Sequence, residues 1–213
     1  MLSLANYEIA WQDMQSIIFY FLLSYAVLGC AIGNPQAGQS KAAVCSACHG
    51  AEGQSAQAAW PNLAGQHASY LLNQLHHYQT GTTRPSPIMA PLAAALSQQD
   101  MEDLAAFYAQ KPLAIPAATH PPRSPRGEQL YRQGDIDQHI PACIACHGPD
   151  GRGAEQAGFP VISHQQSEYI VQQLQAFKTG VRTTDPANIM RTICAKLSTQ
   201  DMQDLAEYLA QLK

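Results

Sequence analysis

Two stretches of this 213-residue chain carry the same pattern of reactive side chains: Cys45-Ser-Ala-Cys48-His49 and Cys143-Ile-Ala-Cys146-His147. Two thiols two residues apart, followed at once by an imidazole, suit one chemistry well. The thiols can reach the two vinyl groups of one haem and hold it as thioethers. The adjacent His then lies under the iron and supplies its proximal nitrogen. A four-cysteine zinc site built from both pairs is the competing use, but 94 residues separate the pairs and each is followed by His. A thioredoxin-like dithiol needs a βαβ setting, which neither pair has. The pattern predicts two haem c groups, both covalently attached.

The opposite face of each iron needs a second ligand. Of six methionines, Met1 and Met14 lie in the N-terminal leader, and Met101 and Met202 sit on the apolar stripe of a predicted helix. Met89 and Met190 remain, in Pro-Ile-Met-Ala and Asn-Ile-Met-Arg, each read as a loop able to bring a thioether over the haem. These two are the expected distal ligands, the alternative being that they only pack their loops. The other histidines, His67, His76, His77, His120, His139 and His164, have no His at the equivalent place in the other copy. They read as surface or loop residues, and bis-His ligation is not expected.

These residues sit in a duplicated unit. The motifs are offset by 98 residues, Pro61 and Pro160 by 99, Tyr70 and Tyr169 by 99, and Met89 and Met190 by 101. The landmark order is kept and the offset drifts slowly, as one duplication with short insertions would give. Between the copies, Lys111 to Pro125 holds five prolines and no helical period, which marks a semi-rigid linker. The domains are therefore expected at 34–111 and 125–213, with the linker at 112–124.

Each copy reads as helical. Ser97 and Ser198 look like N-caps, each with an acid three residues on, Asp100 and Asp201. Met101, Leu104, Ala105 and Tyr108 fall on one helical face, mirrored by Met202, Leu205, Ala206 and Leu209. A middle helix carries Leu71, Leu75 and Tyr78, mirrored by Ile170, Leu174 and Phe177. A further helix is expected to lead into each cysteine pair. No alternating strand pattern appears, so the fold class is all-α.

Ser16 to Gly33 is uncharged and about one signal-peptide core long. Residues 1–33 are expected to be a cleaved signal, with a retained anchor or a lipoprotein signal as alternatives. The first basic residue is Lys41, and Glu8 and Asp13 precede the apolar run; a start at Met14 would remove both acids. Each reading puts the body outside the cytoplasm. Net charge is −4, 13% of residues are charged and 46% are hydrophobic, so nothing points to nucleic acid. Cys194 has Ala93 as its repeat partner and reads as a lone buried thiol. Arg84 and Arg182 lie near the ligand segments and read equally as propionate partners or as solvated charges.

The order Cys-x-x-Cys-His-Gly, Pro-Asn-Leu-Ala-Gly-Gln-His-x-x-Tyr-Leu, Gln-Leu, Thr-Gly, Met, Leu-Ser-x-x-Asp-Met-x-Asp-Leu-Ala resembles the cytochrome c4 family over residues 36–213. The second copy departs from it at Ser163-His164-Gln165, where Ala-Gly-Gln is usual. The resemblance implies two tandem class I cytochrome c-like domains, His/Met ligation, a periplasmic location and electron delivery to a terminal haem-copper oxidase. It also implies that the carbonyls of Pro61 and Pro160 accept a hydrogen bond from each proximal His. An iron with two protein ligands has no place for substrate, so electron transfer is expected and catalysis is not. The expected partners are redox proteins, a quinol-oxidising complex and the oxidase, with membrane association through the N-terminal segment and no small-molecule substrate. The alternative is a dihaem electron-accepting subunit of a dehydrogenase such as flavocytochrome c sulfide dehydrogenase.

Overall fold

The computed structural model describes residues 33–113 and 124–212. The expected leader, with Met1, Met14 and Cys30, lies outside the described residues except for Gly33. So does most of the proline-rich linker, with His120. Among the described residues there is no strand, only two isolated antiparallel bridges, Asp135 with Ile140 and Ala154 with Phe159. No described helix is long and apolar enough to cross a membrane.

Each described half contains five α-helices. The first has α1 (Pro35–Lys41), α2 (Ala43–His49), α3 (Ala68–Thr80), α4 (Met89–Ala94) and α5 (Gln98–Ala109). The second has α6 (Pro125–Arg132), α7 (Ile144–His147), α8 (Ser167–Lys178), α9 (Ile189–Cys194) and α10 (Thr199–Ala210). The duplication is thus kept element by element.

The first helix of each half begins alike. Proline stands at its first position, where its fixed φ suits a helix and no N–H is needed. Asn34 caps α1 and Ser124 caps α6 through side-chain oxygens. The halves then diverge. Only Ala42 separates α1 from α2, so the chain runs almost directly into Cys45. After α6 a loop intervenes, pinned by two 2.8 Å backbone bonds between Asp135 and Ile140, before Cys143 caps α7. The helix expected before each motif exists in both halves, but the second copy has an insertion behind it.

The final helices α5 and α10 start with the expected Ser97 and Ser198. Each forms a full capping box, the Ser hydroxyl accepting from the backbone N–H of Asp100 or Asp201. Their apolar stripes are the core: Met101, Leu104, Ala105 and Tyr108 are buried, as are Met202, Leu205, Ala206 and Leu209. The first and final helices cross very closely in each half, and glycine allows it. A Cβ on Gly38 would lie 2.1 Å from the carbonyl oxygen of Asp103, and one on Gly127 would lie 2.0 Å from that of Asp204. The same aspartates tie the crossing from the side. Asp103 accepts from the backbone N–H of Asn34 at 2.7 Å, and Asp204 from the Ser124 hydroxyl at 2.7 Å.

Candidate functional site: paired haem pockets

The short helices α2 and α7 end on His49 and His147, both buried. Gly50 and Gly148, at φ 78° and 76°, then turn the chain away. His49 Nδ1 lies 2.9 Å from the Pro61 carbonyl oxygen, and His147 Nδ1 lies 3.1 Å from that of Pro160. A carbonyl only accepts, so each Nδ1 carries the hydrogen, and Nε2 is the nitrogen able to bind a metal. Burial pushes both imidazoles below their ordinary pKa, against the smaller opposing pull of the proline carbonyl. Both rings are therefore held neutral, the state that ligation needs. Cys45, Cys48, Cys143 and Cys146 lie half-buried beside these rings, none of them in a disulfide.

Met89 and Met190 are not in loops, contrary to the sequence reading. Met89 is the first residue of α4 and Met190 lies in the first turn of α9. The difference is local: Ser86 Oγ accepts from the Met89 N–H at 3.0 Å and starts a helix there. Both methionines are half-buried, whereas Met101 and Met202 are each 1% exposed in the cores and so committed to packing. The approach to Met190 is three residues longer than that to Met89, counted from the matching arginines. Ala187 and Asn188 take positive φ there, at 50° and 60°. A buried carboxylate holds this bend: Asp185 accepts from the Arg191 backbone N–H at 2.9 Å and from its Nε at 2.8 Å. Arg191 also donates to Asn188. The sequence reading missed this clamp, although Asp185-Pro-Ala-Asn188 is a recognisable turn composition.

Partly buried apolar side chains pack against each core: Cys45, Leu63 and Leu71 against the first, and Ile144, Leu174 and Ile193 against the second. In each half, two thiols and an imidazole whose Nε2 is left available fit the attachment of one haem c. Cys194 is fully buried in the second core, and burial pushes its thiol up to about 12, so it packs as a small apolar group.

Arg84 and Arg182 are not solvated. They are 5% and 4% exposed and lie between the halves. Arg84 donates to Gln74 at 2.8 Å within its half, and to Tyr169 at 2.6 Å and Gln173 at 2.9 Å across it. Arg182 donates to Gln173 at 2.8 Å, and across to Tyr70 at 2.8 Å and Gln74 at 3.0 Å. The arrangement is two-fold: each of these six bonds has its counterpart under the repeat, and Arg182 adds one more, from Nε to Thr184 at 3.0 Å. Arg84 also stacks 4.4 Å over Tyr78, and Arg182 4.5 Å over Phe177. Among the described residues neither guanidinium pairs with a carboxylate. The interface is a buried positive site.

His164 stands where the first copy has Gly65. Both adopt positive φ, 56° and 69°, and both backbone N–H groups donate to the final helix, at Leu209 and Tyr108. The turn survives the replacement. The glutamines that follow, Gln66 and Gln165, each reach into the other half.

The helical halves and paired attachment motifs define a c-type cytochrome with two haem c groups. The Cytochrome c family model matches residues 36–110 and again 124–213. Cytochrome c4 of Thiocapsa roseopersicina is 42% identical, over 84% of this chain and 92% of that protein. A thiosulfate dehydrogenase electron acceptor from Stutzerimonas stutzeri is 38% identical, over 82% of each. The crystal structure of reduced recombinant cytochrome c4 from Pseudomonas stutzeri aligns with a TM-score of 0.81 at 40% identity, covering 85% of this chain and all of that one. The chain belongs to the cytochrome c4 family and is a dihaem electron-transfer cytochrome with redox proteins as partners.

Proposed function

We propose that the protein carries electrons in the periplasm from a quinol-oxidising complex to a terminal haem-copper oxidase, without catalysing a reaction of its own. The observation that carries this reading is the pair of matched pockets joined through one two-fold interface. Haem c supplies one-electron chemistry at each site. The chain supplies the rest. Cys45 and Cys48 hold the first group, and Cys143 and Cys146 the second. His49 and Met89 would ligate the first iron, and His147 and Met190 the second. Pro61 and Pro160 orient the proximal rings. Arg84 and Arg182 supply positive charge for haem propionates. A thioether opposite each imidazole raises the reduction potential, which suits delivery to an oxidase. The domains are those expected at 34–111 and 125–213, preceded by an export signal or anchor.

The test is to add the reduced protein to membranes containing the terminal oxidase and follow its oxidation. Oxidation that ceases when the oxidase is inhibited is the expected result. No oxidation would refute the pathway. A second reading, electron acceptor for a sulfur-compound dehydrogenase, has a specific support: relatives of 38% and 36% identity are thiosulfate dehydrogenase electron acceptors. Flavocytochrome c sulfide dehydrogenase is another enzyme of that kind. Affinity purification from native membranes separates the two, since a dehydrogenase subunit would co-purify with its enzyme.

A further inference from the structure

The peptide group joining Pro61 to Asn62 is hydrogen-bonded at both ends. Its oxygen accepts from His49 Nδ1 at 2.9 Å. Its N–H donates to Oε1 of Gln165, a residue of the other half, at 2.7 Å. The peptide joining Pro160 to Val161 repeats the arrangement. Its oxygen accepts from His147 at 3.1 Å, and its N–H donates to Oε1 of Gln66 at 2.9 Å. Each glutamine also donates back through Nε2, Gln165 to the Asn62 carbonyl at 2.9 Å and Gln66 to the Val161 carbonyl at 2.8 Å. An N–H needs an acceptor and a carbonyl needs a donor, so these contacts fix which end of each amide is oxygen. Each Oε1 takes a second bond at 3.0 Å from the next residue's N–H, on His67 and Gln166. Those residues immediately precede α3 and α8, so each glutamine is anchored at a helix entry.

A hydrogen bond at the N–H end of a peptide draws electron density toward its oxygen. Linked bonds strengthen one another by about 10–30% each. The oxygen then accepts more strongly from Nδ1–H, which makes the imidazole a stronger donor at Nε2 and favours the oxidised iron. We propose that Gln165 and Gln66 are positioning residues acting across the interface: Gln165 sets the donor strength of His49, and Gln66 that of His147, each through one shared peptide group. The proposal rests on the reading of His49 and His147 as proximal ligands. Each half thereby tunes the iron of the other, and a shift of α3 or α8 at one pocket is felt at the opposite one.

The test is a redox titration of the holoprotein, resolved into its two haems. His49→Gly and His147→Gly assign the signals: each should free one iron to bind added imidazole. If neither does, the ligand reading fails and the proposal falls with it. Gln165→Met removes the acceptor and should raise the potential of the first haem while leaving the second unchanged. Gln66→Met should do the reverse. Gln165→Glu keeps an acceptor, makes it anionic, and should move the first haem down. Opposite signs for Met and Glu are the mark of a relay, because a stitch that merely holds the interface would give both changes the same sign. The Glu variant also serves if the Met variant does not fold. No shift at either haem, shifts confined to the substituted half, or the same sign from both substitutions would overturn the proposal.

Discussion

His49 and His147 reach the same geometry from unequal surroundings. One follows a nearly continuous helix and the other a loop, yet each ring meets a proline carbonyl about 3 Å away. That constancy belongs to the residue scale, where the attachment motif and the proline decide the outcome. Two complete motifs make the first prediction: intact mass should exceed the polypeptide by two haems, and acidic acetone should extract neither. One haem, or bound zinc, would contradict it. Met89 and Met190 make the second. Met89→Ala should remove about half of the near-infrared sulfur-to-iron band of the oxidised protein and lower one potential, and Met190→Ala should do so for the other haem. Two variants that both retain the full band would place the distal ligand elsewhere.

The crossing of first and final helices governs the element scale. Gly38 and Gly127 carry no sequence signal of their own, since an isolated glycine in a short helix reads as a weakness. Their purpose is visible only against Asp103 and Asp204. Gly38→Ala or Gly127→Ala should destabilise its half by about 1–3 kcal/mol through overpacking, measured by chemical denaturation. An unchanged midpoint would mean that the helices separate freely. The first crossing also carries charge. Lys41 bridges Asp100 and Asp103, each at 2.7 Å. The Lys41 bond, followed by the Asn34 N–H and Gln99, holds Asp103 down to about 2. Its folded pKa lies below the unfolded value of about 3.9. Its contribution to stability is therefore complete above about pH 4 and is lost as the pH falls through about 2. Asp103→Asn should flatten this part of the acid-unfolding profile of the first half. An identical acid limb in the variant would exclude the carboxylate as its cause.

At the scale of the whole molecule the halves are bound by polar groups. Arg84, Arg182, Tyr70, Tyr169, Gln74 and Gln173 satisfy one another across a buried surface. Such a network stabilises only when complete, because each buried group left without a partner costs about 1–3 kcal/mol. Arg182→Met strips a donor from Tyr70, Gln74 and Gln173 at once. The parent chain should unfold in one transition and this variant in two, one per half, as followed by the absorption of each haem. A single transition with an unchanged midpoint would show that the network does not couple them.

Local spacing made the attachment motifs, the capping boxes and the apolar stripes legible in the sequence alone. Cys45 to His49 is five consecutive residues, and a helical face repeats every three or four, so neighbours along the chain suffice to define them. Duplication added the pairing of Met89 with Met190 and of Pro61 with Pro160. The start of α4 at Met89 was not legible, because Ser86 followed by Pro87 reads as a turn. The interface was illegible for a different reason. Arg84 and Arg182 meet tyrosines 85 and 112 residues away, and Gln165 meets Asn62 at a separation of 103. No periodicity marks such partners, and an arginine near a ligand segment looks the same whether solvated or buried. Only the packing of one half against the other removed water from those side chains and made their hydrogen bonds to each other obligatory.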